Sequence, residues 1–397
     1  MKITRFLCIF LTIVILLYPL TASATDYTMP TDDGALYTSA DTSVEGNDFD
    51  CKSAILMEAN TGRILYTQNA DEALPPASVT KVMTLLLVME AIDAGKIKLD
   101  DTVSVSERAA SMGGSQIFLE VGEQMSVEDM LKSVIIASAN DAACALAEFV
   151  CGSEAAFVEQ MNLRAKSLGM NNTHFENTNG LDDTAQGHVT SARDIAIMSR
   201  ELIKHKKILE YSSIWMDTVR NGAFGLTNTN RLVRYYQGCT GLKTGSTDKA
   251  GFCISATAER GGVSLICVVM GAATRDIRNN IATSLLDRGF ANFEVYSAEG
   301  KTLSDIPVLG SPDRYMTGEY SAFTYLADKG TSSKIQQKVT LNENISAPIS
   351  KGDVIGRVSY TLDGKEVGHV DITAAADVQR IDYFTLLLRG ISRFFMK

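Results

Sequence analysis

The chain carries 37 basic and 47 acidic side chains over 397 residues, a formal charge of −10, and 45% of its residues are hydrophobic. So acidic a balance excludes nucleic acid as a principal partner. The length is that of two domains, or three.

The first 24 residues read as a secretory signal peptide. Lys2 and Arg5 form a basic start, residues 6 to 18 are almost wholly apolar, and Ala22-Ser23-Ala24 supplies the small residues of a cleavage site. The apolar run is short for a membrane span. Cys8 lies inside it rather than after it, which argues against a lipid-modified cysteine. Cleavage near Thr25 removes two of the 37 basic residues and leaves 35 against 47, a charge of −12. Six cysteines remain: Cys51, Cys144, Cys151, Cys239, Cys253 and Cys267. An even count in an exported chain invites disulfides. Cys144 and Cys151 fall on one predicted helix roughly 10 Å apart, beyond disulfide reach. Cys253 and Cys267 flank a predicted hairpin and are placed to face each other; the alternative is that all six are buried thiols used as small apolar side chains. No CxxC and no His/Cys cluster points to a metal.

Residues 25–49 are polar and read as a flexible segment. "CKSAILMEANTGRILYTQNADEAL" alternates like two strands around Asn60-Thr61-Gly62. A helix apolar on all sides runs from about Ala77 to Ala94 and stops at Gly95. Residues 126–150 are helical, as is "SEAAFVEQMNLRAKSLG", and "TSARDIAIMSRELIKH" is a helix with Thr190 or Ser191 as its cap. From Gly241 the period changes, and "GFCISATAERGGVSLICVVMGA" reads as two strands around Arg260-Gly261-Gly262. Residues 275–292 return to helix. Strands at both ends of a helical middle imply one sheet completed by N- and C-terminal segments, within a domain spanning 50–293. Short β-like runs then form a small all-β domain at 294–378, ending in a hairpin around Asp363-Gly364. The last stretch, 381–397, is an amphipathic helix. Phe384, Leu387, Leu388, Ile391, Phe394 and Phe395 lie on one face, with Asp382, Arg389, Arg393 and Lys397 opposite. It is either a docking helix on its own domain or a membrane-surface anchor.

"PPASVTKVMTLLLVMEAI" places Ser78 and Lys81 at the mouth of the apolar helix. A serine needs a base to become a nucleophile. The four histidines of the chain offer no GxSxG-type setting. A lysine three residues on lies on the same helical face, and apolar burial or a second cation lowers its pKa enough to free its lone pair. The spacing recurs at Ser246/Lys249, in a loop-like stretch with no helix start, so SxxK alone carries little. Its company carries more: "SAN" at Ser138 to Asn140, at a turn between helices, and "KTG" at Lys243 to Gly245, entering the first strand of the late pair.

With S-x-x-K, S-x-N and K-T-G in this order, the chain resembles the penicillin-binding proteins. More closely, it is similar to the low-molecular-mass D-alanyl-D-alanine carboxypeptidases of the type 5 class. The likeness spans about 50 to 380 and rests on "PASVTKVMT", "SANDAA", "NTNGLDD", "TSARDIA", "NTNRL", "GLKTGST" and "VVMGAATRDIR". The resemblance implies an α/β, β-lactamase-like transpeptidase domain: an antiparallel sheet flanked by helices plus a helical subdomain. A small β-sandwich-like domain and an amphipathic C-terminal helix follow. It implies acylation of Ser78, with Lys81 as general base and Ser138 and Asn140 lining the cleft, Ser138 relaying a proton to the leaving D-alanine. Lys243 supplies positive charge near Lys81 and anchors the substrate. The backbone N–H groups of Ser78 and Ser246 form the oxyanion hole, and Thr244 and Arg278 hold the terminal carboxylate, with Arg275 as a substitute for Arg278. The bland readings are a strand threonine and a solvated helix arginine. Thr240-Gly241 stands where many family members have Asp-Gly, which leaves substrate preference and deacylation open.

The expected activity is therefore a serine-type D-Ala-D-Ala carboxypeptidase that trims peptidoglycan stem pentapeptides and binds β-lactam antibiotics covalently. It needs no metal and no organic cofactor, and it works outside the cytoplasmic membrane, peripheral to its outer face through the C-terminal helix. A class A β-lactamase is the rival enzyme, but it needs a glutamate followed four residues later by asparagine, and Glu176 is followed at that distance by Gly180. Endopeptidase or transpeptidase use of the same cleft, and a non-catalytic wall-binding protein, are the other rivals.

Overall fold

The computed structural model describes residues 44–45, 49–181 and 185–395. The expected signal peptide and almost all of the expected flexible segment lie outside them. A six-stranded sheet organises the first part of the chain. Its first strands are β1 (Val44–Glu45), β2 (Ser53–Glu58) and β3 (Ile64–Gln68). A single 3-10 turn, Ala77–Thr80, then leads into α1 (Lys81–Asp93). Nine residues of α1 are buried, Lys81 among them, which is why the sequence shows no polar face there. The hairpin β4 (Thr102–Ser104) and β5 (Gln124–Ser126) encloses the short α2 (Glu107–Ala110).

The stretch expected to be helical from 126 to 150 is two helices, α3 (Val127–Ile136) and α4 (Asn140–Cys151). Ser138 breaks them apart with a left-handed backbone, φ 64°. Helices α5 (Glu154–Ser167), α6 (Ala192–Leu202) and α7 (Lys206–Ser212) complete the helical middle. Ser126, Ser153 and Ser191 cap α3, α5 and α6, each accepting a hydrogen bond from the backbone N–H three residues on. A second small hairpin, β6 (Met216–Val219) with β7 (Phe224–Thr227), and one helical turn, α8 (Leu232–Tyr235), lead back to the sheet. The chain closes it with β8 (Cys239–Thr247), β9 (Gly251–Arg260) and β10 (Val263–Ala272), then covers it with α9 (Arg275–Asn292), capped by Thr274. The strand order is β1-β3-β2-β10-β9-β8. Every neighbour pair is antiparallel except β1 with β3. The Lys-Thr-Gly triplet lies on β8, a strand of its own, rather than at the entry of the β9–β10 pair.

The sheet is buried on both faces, and the two-residue period of its strands separates two cores. Ile55, Met57, Ile266, Val268 and Met270 point to the helical middle. Ala54, Leu56, Leu265, Cys267 and Val269 point to α9, where Ile281, Leu285 and Leu286 meet them. The same alternation disposes of the Cys253–Cys267 pairing. Cys253 belongs to the first core and Cys267 to the second, so the two thiols lie on opposite faces of the sheet. All six cysteines outside the first 24 residues are free.

The chain continues directly from α9 into β strands. Strand β11 (Phe293–Ala298) pairs with β14 (Phe323–Asp328), and a five-stranded sheet is built from β12 (Lys301–Pro307), β13 (Tyr315–Tyr320), β15 (Gln336–Leu341), β16 (Val354–Leu362) and β17 (Lys365–Ala374) in the order β12-β13-β17-β16-β15. Its core is Ile306, Met316, Ile355, Val358 and Ile372, with the rings of Phe323 and Tyr360 stacked 4.0 Å apart. Helix α10 (Tyr383–Phe395) leaves Tyr383, Phe384, Leu387, Leu388 and Ile391 exposed, Phe384 to 75%. Of the two expected faces, Arg389, Arg393, Phe394, Phe395 and Lys397 lie outside the described side chains. Among the described residues no helix is long and apolar enough to cross a membrane.

Alkylation under denaturing, non-reducing conditions should label all six of these cysteines; a mass short of full labelling by two alkyl groups per pair would show a disulfide.

Candidate active site

The 3-10 turn presents Ser78 half-buried at the foot of α1, following Ala77 at φ 49°. Two glycines let backbone press against that turn. A Cβ on Gly180 would overlap Ala77 O, and one on Gly245 would come within 2.7 Å of Ser78 N. The glycine of the Lys-Thr-Gly triplet is therefore a packing requirement, since it lets β8 run directly beside the nucleophile's own amide.

Lys81 Nζ has three partners: Ser78 Oγ at 2.9 Å, Asn140 Oδ1 at 2.5 Å and the carbonyl of Asn179 at 2.9 Å. Asn140 is oriented by its own amide, whose Nδ2 donates to Gly113 O at 2.6 Å. Two of the three partners can only accept. Nζ donates to all three, and the Ser78 hydroxyl alone among them also has a proton it can turn towards an uncharged amine. Lys81 is fully buried, and burial first, then the charge of Lys243, holds its pKa well below the ordinary lysine value, against a smaller opposing pull from Asp141. Burial and the neighbouring lysine thus disfavour the charged form of the amine that lies against Ser78 Oγ.

Lys243 is also fully buried, donates to Thr244 O at 2.9 Å, and is pushed down to about 7 by burial and then by Arg278. Arg278 is buried on α9, donates to Cys253 O and to Asn279 Oδ1, and is itself lowered to about 10 by burial and then by Arg275. It remains a cation at neutral pH, and neither it nor Thr244 is a solvated surface residue. Thr244 Oγ1 donates to Thr229 Oγ1 at 2.9 Å.

These groups surround a cleft of about 630 Å³. Ser78, Ser138, Thr244, Ser246, Arg275 and Arg278 line it together, while Lys81, Asn140 and Lys243 sit fully buried beneath its floor. The second SxxK serine, Ser246, is thus a wall of the first serine's cleft. Sequence reasoning left several neighbours unassigned. Asn179 supplies the third contact to Lys81, and Thr229 and Arg231 flank the Lys-Thr-Gly strand. They belong to the two Asn-Thr-Asn stretches, whose repetition was the available signal. Ser115, Trp215 and Tyr235 also line the cleft and had no local signature. Glu176 accepts from Gly187 N and takes no part in the lining.

A serine within hydrogen-bond reach of a buried lysine of lowered pKa, beside a strand that carries a second buried lysine, is an arrangement suited to serine acyl transfer. Two family models match the chain: D-alanyl-D-alanine carboxypeptidase over residues 40–274, and the penicillin-binding protein 5 C-terminal domain over 290–380. The D-alanyl-D-alanine carboxypeptidase DacF of Bacillus subtilis is 43% identical over 347 residues, 86% of this chain and 89% of the relative. Penicillin-binding protein 5 from Haemophilus influenzae superposes with a TM-score of 0.72 at 33% identity, over 85% of this chain and all of that one. Penicillin-binding protein D2 from Listeria monocytogenes, solved in an ampicillin-bound form, matches with a TM-score of 0.57 at 35% identity over 62% of this chain and 99% of that one. The chain belongs to the D-alanyl-D-alanine carboxypeptidase family, and it is a serine-type DD-carboxypeptidase.

Lys243 gives the site a signature in stability. Its folded pKa, about 7, lies below the unfolded value near 10.4, so between those values the unfolded chain binds a proton the folded one does not. Stability from this group falls as pH drops from about 10.4 to about 7 and is level below. The stability of Lys243→Met relative to the parent should therefore rise over that window as pH falls, measured by denaturant unfolding at several pH values. A difference independent of pH would place an ordinary charged lysine in the fold.

Proposed function

We propose that Ser78 is the residue acylated by the penultimate D-alanyl carbonyl of a peptidoglycan stem pentapeptide. The observation that carries this is the fully buried Lys81 amine, held by Asn140 Oδ1 and the Asn179 carbonyl within 2.9 Å of Ser78 Oγ. Ser78 Oγ attacks the carbonyl carbon and its proton passes to Lys81 Nζ. The backbone N–H groups of Ser78 and Ser246 receive the developing oxyanion. As the intermediate collapses, the proton moves from Lys81, by way of Ser138, to the departing amine, the C–N bond breaks and D-alanine leaves. Water then attacks the ester with Lys81 taking its proton, the bond from the acyl carbon to Ser78 Oγ breaks, Lys81 returns the proton to Oγ, and the tetrapeptide is released. Thr244 and Arg278 hold the free carboxylate of the leaving residue through charge-assisted hydrogen bonds. Lys243 acts from beneath, adding its charge to that end of the cleft and opposing protonation of Lys81. A β-lactam enters by the same attack, its ring amide taking the place of the scissile bond.

The family supports an extracytoplasmic enzyme, and the exposed apolar side of α10 supports its attachment to the outer face of a membrane. Large side chains unpacked against the β domain favour this over a docking helix. Its 13 residues extend only about 20 Å at 1.5 Å per residue, so it lies on the bilayer rather than across it.

Purified enzyme given a stem pentapeptide should release D-alanine and tetrapeptide, and penicillin should add one adduct that peptide mapping assigns to Ser78. An adduct on Ser246 would overturn the assignment. A chain ending at Val378 should keep its activity on soluble peptide and lose sedimentation with anionic liposomes. Equal sedimentation of the two chains would refute the anchor.

A further inference from the structure

Asp141, the residue after Asn140, is completely buried and touches neither the cleft nor Ser78. Its carboxylate accepts from Ile117 N at 3.1 Å, from Leu119 N at 3.1 Å and from Ala142 N at 2.9 Å. Between Ile117 and Leu119 stands Phe118, 69% exposed, with φ 57°. A bulky side chain in the left-handed region is strained and persists only where the surroundings over-determine it. Here they do so from two sides. Asp141 takes the N–H groups on either side of Phe118, while Arg220 takes the carbonyls: Nη1 to Ile117 O at 2.8 Å and Nη2 to Phe118 O at 3.2 Å. Arg220, itself at φ 54° in the β6–β7 turn, is fixed by both oxygens of Glu123 at 2.6 and 3.0 Å.

What this double clamp holds is the segment that holds Asn140. Gly113 O takes Asn140 Nδ2, and Ser115 O accepts from Asn140 N at 2.7 Å. Asn140 Oδ1 in turn is one of the two carbonyl acceptors that hold Lys81 Nζ beside Ser78 Oγ. Residues 113–119 are thus pinned at one end by Asn140 and at the other by Asp141 and Arg220. Resting on the acyl-enzyme reading above, we propose that Asp141 and Arg220 are positioning residues of the DD-carboxypeptidase reaction, clamping segment 113–119 so that Asn140 keeps the Lys81 amine aimed at Ser78. The segment also carries Ser115 into the cleft wall, so the clamp sets the shape of the cleft there as well.

The two residues can be told apart by charge. Lys81 faces the cation Lys243 from β8 and the anion Asp141 from α4, and Arg220 faces Asp141, Glu123 and Glu120. Asp141→Asn leaves a single acceptor oxygen and turns an NH2 group towards backbone N–H groups, so the segment should shift. A displacement of about 1 Å costs on the order of 10²-fold in rate, and acylation by a β-lactam should slow by about that factor. It also removes the charge that pulls the Lys81 pKa upward, so the acid limb of the acylation profile should move to lower pH. Arg220→Met should slow acylation comparably and leave the acid limb in place. The measurement is the second-order acylation rate constant across pH, per active site counted by adduct mass, on the full chain. Parent rate constants in both variants, with losses confined to melting temperature, would overturn the proposal, as would a slowed Asp141→Asn enzyme with an unmoved limb. If Asp141→Asn does not fold, Arg220→Met decides alone, and a parent rate constant there overturns the proposal. Absence of a Ser78 adduct in the parent enzyme would instead sink the acyl-enzyme reading.

Discussion

The structure depends on burying one amine, that of Lys81, where its charged form is disfavoured. A lysine exposed to water at neutral pH holds its proton and is useless as a base. Burial alone lowers its pKa, and the protein adds graded positive charge behind it. Arg275 depresses Arg278, Arg278 depresses Lys243, and Lys243 depresses Lys81, with burial the larger cause at each step. The series runs from an exposed guanidinium on the cleft wall to a buried amine against Ser78 Oγ. Such stacking of like charges in a low-dielectric interior disfavours the fold, and it is tolerated because the surrounding sheet is buried on both faces by two separate cores.

The same constraint explains the glycines and the irregular backbone around Ser78. The amine is reachable only if the serine turn, the Lys-Thr-Gly strand and the Asn177–Leu181 stretch converge within contact distance. Gly245 and Gly180 remove the side chains that would keep them apart. Ser138 interrupts what would otherwise be one long helix, so that Asn140 starts α4 beside Lys81 instead of continuing α3 past it.

Much of this was legible in the sequence because it is local. The alternation of β2 and β3, the all-round apolar character of α1 and the serine caps of α3, α5 and α6 are written in neighbouring residues. The order of Ser78, Lys81, Ser138, Asn140 and Lys243 was readable as chemistry because residue type and spacing limit what a serine and a lysine can do together. What escaped depends on contacts between distant segments. Nothing near Asp141 announces that its carboxylate belongs to residues 117 and 119, and nothing near Cys253 tells which face of the sheet it occupies. The extent of β8 was missed because Thr240 to Gly245 is rich in threonine and glycine, a composition that suits a loop until β9 pairs with it.

The connectivity of the sheet has a consequence for how the enzyme comes into being. Strand β2 finds its partner β10 only after some 200 residues have been made, and the register joins Ser53 to Met270. Pairings so distant in the chain pay their loop-closure entropy before they return any contact energy, so they form late. Ser78 and Lys81 follow the first of these strands, and the Lys-Thr-Gly strand precedes the last. Neither the lowered amine pKa nor the cleft exists until the two ends meet. Reactivity is therefore a property of the closed chain alone. A partly folded molecule carries Ser78, Lys81 and Lys243 apart and in water, without the burial that lowers the two amines.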